Sequence, residues 1–319
     1  MESNNIFMAA VIYALLEKKG IGPASVNRLL QKWGTLSHNI RYDEKISKLA
    51  DLANIDTEKF ERSVYKWTNE LEQLKRTRQI SFIVITDSAY PSSLKELLGM
   101  SAPPALSYIG NANLLNSTAV GFCGSRNAST KGLKVASDTA RELAKAGAIV
   151  VSGYARGVDM EAHLSSIKAG GRTILVLAEG IGHFRIKKLE SRLGEPVDYS
   201  NILVLSEFSP FDKWSVSRAM QRNKTIIALT KALVVVEANP TGGTIEAGKT
   251  ALKLGKPVFA AYYGPGKGSA GNQILLQMGA RKFGRLHGTN TPNTSRILAT
   301  LHYEEQKRMR LEQNKLFNH

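Results

Sequence analysis

The segment Thr118-Ala119-Val120-Gly121-Phe122-Cys123-Gly124-Ser125-Arg126 reads as a buried strand running into a tight Gly/Ser turn. A helical pattern follows over 131–146. A strand that stops in such a turn and enters a helix exposes backbone N–H groups at the helix start. Those groups and the helix dipole attract phosphate, and the Arg126 guanidinium adds a fork of donors matched to phosphate oxygens. The idea recurs three times along the chain: Val150-Val151-Ser152-Gly153 after Ile149, Arg222-Asn223-Lys224 at the opening of a helical run, and Thr241-Gly242-Gly243-Thr244 after the apolar run 232–237. Arg156 lies just beyond the second of these turns.

Outward from this segment, apolar strand-like runs at 82–86, 106–109, 119–123, 148–152, 173–178, 202–205, 232–237 and 257–261 alternate with helical stretches. The helical stretches fall at 131–146, 158–169, 215–230, 243–254 and 270–278. Such alternation predicts an α/β fold, a Rossmann-like, doubly wound, mostly parallel sheet covered on both faces. Ligands of such sheets sit beyond the carboxyl ends of the strands, where all four turns fall. Residues 1–80 read instead as a small all-helical domain. Phe60, Val64, Trp67, Leu71 and Leu74 form one apolar face of a helix over 57–78. Gly20-Ile21-Gly22-Pro23 between two helical runs suggests a helix-hairpin-helix or SAM-like turn, able to hold one DNA phosphate, or a plain turn with Pro23 at a helix start. The expected division is 1–80 helical, 81–285 Rossmann-like, and 286–319 a helical tail with Leu298, Leu301, Met309 and Leu316, packed on the body or against another chain.

Lysine and arginine number 43 against 27 acidic residues, a net charge of +16. Residues 81–285 hold +11 of it, so the surplus lies where the turns lie and favours a nucleic-acid partner. Cys123, the single cysteine, excludes an internal disulfide and fits a cytoplasmic protein. No apolar run reaches the ~18 residues of a membrane span, and the start lacks the basic region of a signal peptide. No metal-ligand spacing and no cofactor motif stand out.

These residues resemble the DNA-processing protein A (DprA/Smf) family. The likeness runs from Tyr90-Pro91 and Pro103-Pro104-Ala105 through Gly124-Ser125-Arg126 and is strongest in Ser152-Gly153-Tyr154-Ala155-Arg156-Gly157-Val158-Asp159. It continues in Gln221-Arg222-Asn223-Lys224 and Gly242-Gly243-Thr244. The resemblance implies a Rossmann-like core that binds single-stranded DNA in a basic pocket, homodimers that present DNA to a RecA-type recombinase, a role in recombination and transformation, and no catalysis. Gly124, Ser125, Arg126, Ser152, Gly153, Arg222, Asn223, Gly242, Gly243 and Thr244 would line that pocket. Three departures stand out. Lys224 replaces an arginine of the family pattern and loses its bidentate fork. Gly182-His183-Phe184 replaces a Tyr-Pro. The stretch after Leu286 is too short for a winged-helix domain. They leave room for a diverged role in defence against foreign DNA.

Individual residues carry further expectations. Asp159 reads as an N-cap or as the partner of His163 four residues on. Glu207 and Glu237 end strands, where they hold arginines or backbone N–H groups or, alternatively, serve as catalytic carboxylates. Tyr154 and Phe184 are the nearest aromatics for stacking bases. A second functional class competes. Arg222, Lys224 and Pro240-Thr241-Gly242-Gly243-Thr244-Ile245-Glu246 resemble the lysine-decarboxylase-like phosphoribohydrolases, which implies a nucleotide sensor or a nucleoside-monophosphate hydrolase. In this chain the run lacks one glycine, and Glu246 follows Thr244 one residue too soon. A third reading is a protein-binding scaffold built on the terminal helices.

Overall fold

The computed structural model describes residues 2–35, 42–264 and 267–317. The chain divides into two compact units, the first running to residue 109 and taking in 179–183 and 205–213. The first unit holds four helices, α1 (Glu2–Leu16), α2 (Pro23–Thr35), α3 (Tyr42–Ala53) and α4 (Thr57–Arg78). Strand β1 (Ser81–Val84), helix α5 (Ser92–Leu98) and strand β2 (Ala105–Gly110) follow. The five apolar residues read from the sequence as one face of α4 are all buried. Asp56 caps this helix by accepting from the Lys59 amide at 3.0 Å. Helix α1 is apolar almost all round and accordingly buried from Met8 to Leu15. Lys18 ties its end to α3 by donating to the carbonyls of Ala53 and Asn54. The Gly20-Ile21-Gly22 segment is a turn whose Gly22 carbonyl accepts from Ser25 and Val26, and Pro23 opens α2. Asn27 of α2 donates to the carbonyls of Met100 and Ala102. The helical region is thus built together with β1 and β2, and the contacts divide the chain after residue 109, whereas the sequence pattern changes at 80.

Strands β1 and β2 pair antiparallel. The second unit holds β3 (Ala119–Cys123), α6 (Thr130–Lys145), β4 (Ile149–Ser152), α7 (Val158–Lys168), β5 (Thr173–Val176), α8 (Lys187–Leu193) and the start of β6 (Ile202–Ser206). It continues with α9 (Val216–Leu229), β7 (Ala232–Val235), α10 (Gly243–Lys253), β8 (Val258–Ala261), α11 (Ala270–Gln277), β9 (Arg281–Phe283) and α12 (Ser295–Phe317). Its strands lie in the order β6-β5-β4-β3-β7-β8-β9, and β5-β4, β4-β3, β3-β7, β7-β8 and β8-β9 all pair parallel. From β3 the chain winds outward through β4, β5 and β6. It then returns through α9 to place β7 on the other side of β3 and winds outward again. The direction of winding therefore reverses between β3 and β7, which makes the carboxyl ends of these two strands the switch point of the sheet.

The core beneath that point is assembled from Val120 and Phe122 of β3, Ala136, Ala140 and Leu143 of α6, Val158 and Ala162 of α7, and Val234 and Phe259 from the neighbouring strands. Ile297 and Leu301 of α12 are buried in the same cluster, with Leu298 packed against it, so the first turns of the tail pack on the second unit. The side chains of Met309 and Leu316 lie outside the described residues. Helix α3 falls within the stretch 1–80 read as helical, whereas helices α5 and α8 and strand β9 have no counterpart in the sequence reading. Strand β9 has three residues, two of them exposed and charged, and so carries no strand-like pattern.

One buried amide closes the carboxyl end of the sheet. Asn272 of α11 donates to the Val236 and Ala261 carbonyls at 2.8 and 2.9 Å and accepts from the Ala238 amide at 2.9 Å. Asn272→Ala strands those carbonyls without donors and is expected to lower unfolding stability by about 2 kcal/mol or more, read as a shift of the urea midpoint with an unchanged slope.

Candidate functional site

At the switch point lies a crevice of about 460 Å³ whose wall comes from three segments, 123–127 after β3, 214–223 at the start of α9, and 239–244 before α10, together with Ala155 and Asp159. The first segment is pinned by β7. The Val236 amide donates to Cys123, the Ser125 amide donates to the Glu237 carbonyl, and the Glu237 carboxylate accepts from the Ser129 amide and hydroxyl at 2.8 and 2.5 Å. The Ser125 hydroxyl in turn accepts from the Asn127 amide. The amides of Ser125 and Asn127 are therefore spent within the fold. The turn after β3 thus presents fewer bare N–H groups than the sequence suggests. Arg126 is instead the contribution of this turn, exposed and held with its guanidinium carbon 5.1 Å from the centre of the Trp214 ring.

The third segment supplies the amides. Gly242 has φ +101°, a backbone conformation open to glycine and strained for other residues, and no side chain caps α10. Thr241, Gly242 and Gly243 are exposed. The first N–H groups of a helix have no acceptor within it. Here they open on the crevice with the positive end of the helix dipole behind them.

Arg222 lies in the second turn of α9, not at a helix start, and is only 5% exposed. Its guanidinium donates to the Gly153 carbonyl at 2.7 Å and to the Val176 carbonyl, and its Nε donates to Asn223. A Cβ on Gly153 would lie 2.4 Å from the guanidinium, so the glycine is needed for the close approach. Arg222 borders the crevice as part of its floor. The expectation of a free phosphate fork at 222 is corrected by this burial. Ser152 is fully buried, and its hydroxyl donates to Phe122. Ser152 and Gly153 lie beneath the crevice wall and not in it. Arg156, bonded to Asn127, and Lys224 are exposed but are not part of the wall. Gly124, Ser125, Arg126, Arg222, Asn223, Thr241, Gly242, Gly243 and Thr244 do come together there.

Asp159 is the second residue of α7, whose cap is Gly157. Its buried carboxylate accepts from the Ala155 amide at 3.4 Å, so it does not cap the helix as the sequence suggests. Burial raises its pKa above the usual carboxylate range, and the Arg222 guanidinium opposes that rise. His163 bonds Thr173 at 2.7 Å and not Asp159. Burial, with the Arg222 charge adding, lowers its pKa to about 3. Cys123 borders the crevice half-buried, and burial, with the Asp159 carboxylate adding, raises its thiol pKa. Tyr154 and Phe184 lie against each other with ring centroids 5.4 Å apart and planes tilted by 57°, and neither is part of the crevice wall. The crevice aromatic is Trp214, which the sequence reading passed over. Its only signal was an isolated large aromatic between Lys213 and the helix-capping Ser215. Glu246 pairs with Lys249 at 2.9 Å and takes no part in the wall. Among the described residues no group of three His, Cys, Asp or Glu side chains could hold a metal ion, and no helix is long and apolar enough to cross a membrane.

The fold and its crevice define a doubly wound α/β protein with a cationic, amide-bearing pocket at the switch point. Residues 81–289 match the family model of the DNA recombination-mediator protein A, and the chain belongs to that family. It is 33% identical to the DNA processing protein DprA of Bacillus subtilis, over 65% of this chain and 69% of that one. The X-ray structure of DNA processing protein A from Streptococcus pneumoniae superposes with a TM-score of 0.69 at 28% identity, over 85% of this chain and 93% of that one. A structure of the Helicobacter pylori protein, described for its single-stranded DNA binding mode, gives 0.54 at 25% identity, over 64% and 90%.

The low pKa of His163 makes stability depend on pH with a definite sign. Between pH 6.5 and about 3 the unfolded chain holds a proton at this ring that the folded protein refuses, so stability falls as pH falls through that window. The loss from this one group is about 1.4 kcal/mol per pH unit below 6.5. Subtracting the urea-unfolding profile of His163→Gln from that of the unsubstituted protein should isolate it.

Proposed function

We propose that this chain binds single-stranded DNA through its phosphates in the switch-point crevice. The observation that carries the reading is the uncapped, glycine-opened start of α10 in the same crevice as the exposed Arg126. Amides at a helix start and a guanidinium are complementary to phosphate and carry no base preference of their own. The surplus of +11 over residues 81–285 supplies a field that draws a polyanion toward this part of the chain. The Helicobacter pylori relative, described as binding single-stranded DNA, supports the same assignment.

The proposed role is binding and not catalysis. The carboxylate that a phosphoribohydrolase would need is engaged with Lys249 outside the crevice wall. Family membership extends the proposal to a cytoplasmic homodimer that delivers the strand to a RecA-type recombinase, in recombination and transformation or in a diverged defence against foreign DNA.

Fluorescence anisotropy with a labelled oligonucleotide across a salt series tests the reading. Each phosphate neutralised is expected to add about 0.7 to the slope of log affinity against log salt for a single strand. Arg126→Ala is expected to flatten that slope by about one such increment and to weaken binding about tenfold. Weak binding at low salt, or a variant that changes neither slope nor affinity, would overturn the proposal, as would release of free base from nucleoside monophosphates.

A further inference from the structure

We infer that the outer edge of the sheet, at β8 and β9, is a second phosphate-binding surface that holds nucleic-acid backbone outside the crevice, an inference that rests on the DNA-binding reading above. Residues 247–303 contain eight lysines and arginines and no aspartate or glutamate. Half of the net charge of +16 therefore sits in this one stretch. Lys253, Lys267, Arg281, Lys282, Arg285 and Arg296 are exposed, and none is in an ion pair with another described residue. None belongs to the crevice wall. Surfaces that serve solubility intersperse charges of both signs. A stretch of one sign builds a field that draws in a polyanion.

The fold gathers three of these cations. Strand β9 ends the sheet two strands out from β7, roughly 10 Å away at ordinary strand spacing. Its parallel pairing sets Lys282 opposite Ala260 of β8, and the Tyr262 amide donates to the Phe283 carbonyl at 2.8 Å. The Lys282 ammonium thereby lies 5.5 Å from the centre of the Tyr262 ring, which is 37% exposed. The next residue, Tyr263, has the Lys131 ammonium 4.6 Å from its ring centre, and the Arg285 charge acts on its hydroxyl. The Glu237 carboxylate acts there too, but Ser129 already engages it. A Cβ on Gly268 would lie 2.9 Å from the Tyr263 ring, so the loop that carries exposed Lys267 closes against the same side chain. Lys267, Lys282 and Arg285 thus stand at the carboxyl ends of β8 and β9. Charge on an edge strand also guards against pairing with another sheet. Arg281 and Lys282 of β9 suffice for that, and the guard does not account for Lys267 and Arg285, which lie outside the strand. Cations of this kind meet phosphates and read no base. Those phosphates come from the flank of a strand seated in the crevice or from a separate duplex.

A salt series on the triple variant Lys267→Gln, Lys282→Gln, Arg285→Gln, and on Lys282→Gln alone, tests this. The ligands are oligothymidylates of about 6 and about 40 nucleotides and a blunt duplex of about 20 base pairs. Each neutralised phosphate adds about 0.7 to the slope of log affinity against log salt on a single strand and about 0.9 on a duplex. The triple variant should flatten the slope on the long strand by about 2, and Lys282→Gln by about 0.7, with the short strand unchanged. Flattening by about 2.7 on the duplex assigns the edge to a separate segment, and flattening confined to the long strand assigns it to the flank of the strand in the crevice. Slopes that move on neither long strand nor duplex, or an equal loss on the short strand, would overturn the edge. So would polyglutamate binding that the triple variant abolishes while every DNA slope stays put, since the face would then serve an acidic polypeptide. The short strand separates this inference from the previous one. An unsubstituted protein that fails to bind it, while the long-strand loss persists, overturns the crevice and leaves the edge. A long-strand slope that responds to Arg126→Ala and not to the triple variant does the reverse.

Discussion

The buried guanidinium of Arg222 is the interaction on which the crevice depends. The last ladder pair between β4 and β5 is Ser152 with Leu175. The next carbonyls, those of Gly153 and Val176, lie just beyond it. A buried carbonyl without a donor is costly, and Arg222 donates to both. A buried guanidinium is itself costly unless its charge is met, and Asp159 lies near enough for the Arg222 charge to oppose the burial-driven rise of its pKa. The arrangement is mutual. The strand ends satisfy the arginine, and the arginine satisfies the strand ends. The floor of the crevice is therefore fixed before any ligand arrives.

The two rims of the crevice are built on opposite plans. After β3 the chain spends the Ser125 and Asn127 amides on Glu237 and on its own Ser125 hydroxyl, and the resulting turn offers a side-chain cation. Before α10 the chain withholds any cap and offers amides. A donor of charge thus shares the crevice with a set of uncommitted N–H groups, and both are held by strands that lie next to each other at the reversal of winding. Preorganisation of this kind lowers the ordering cost that a flexible polyanion imposes on its receptor.

Much of this was legible in the sequence, and the reasons are specific. The parallel strands announced themselves because buried strands are continuous apolar runs, and Gly242-Gly243-Thr244 because helix starts at strand ends have a short vocabulary of residues. The roles of Ser152, Gly153 and Arg222 were misread because exposure is a tertiary property. The same arginine in the same helix serves as a ligand or as a brace according to what lies above it, and the pattern of apolar residues in α9 does not report that. Trp214 escaped notice because one aromatic in a loop has no periodicity to mark it. Strand β9 escaped because two of its three side chains point charge at solvent.

The lone thiol at Cys123 has a practical consequence. Half-buried beside an acidic neighbour, it is kept in its unreactive protonated form. The chain is consequently close to a cysteine-free background for site-directed labelling. A spin label or a fluorophore introduced on the surface would report on one chosen position with little competing signal from the native sulfur.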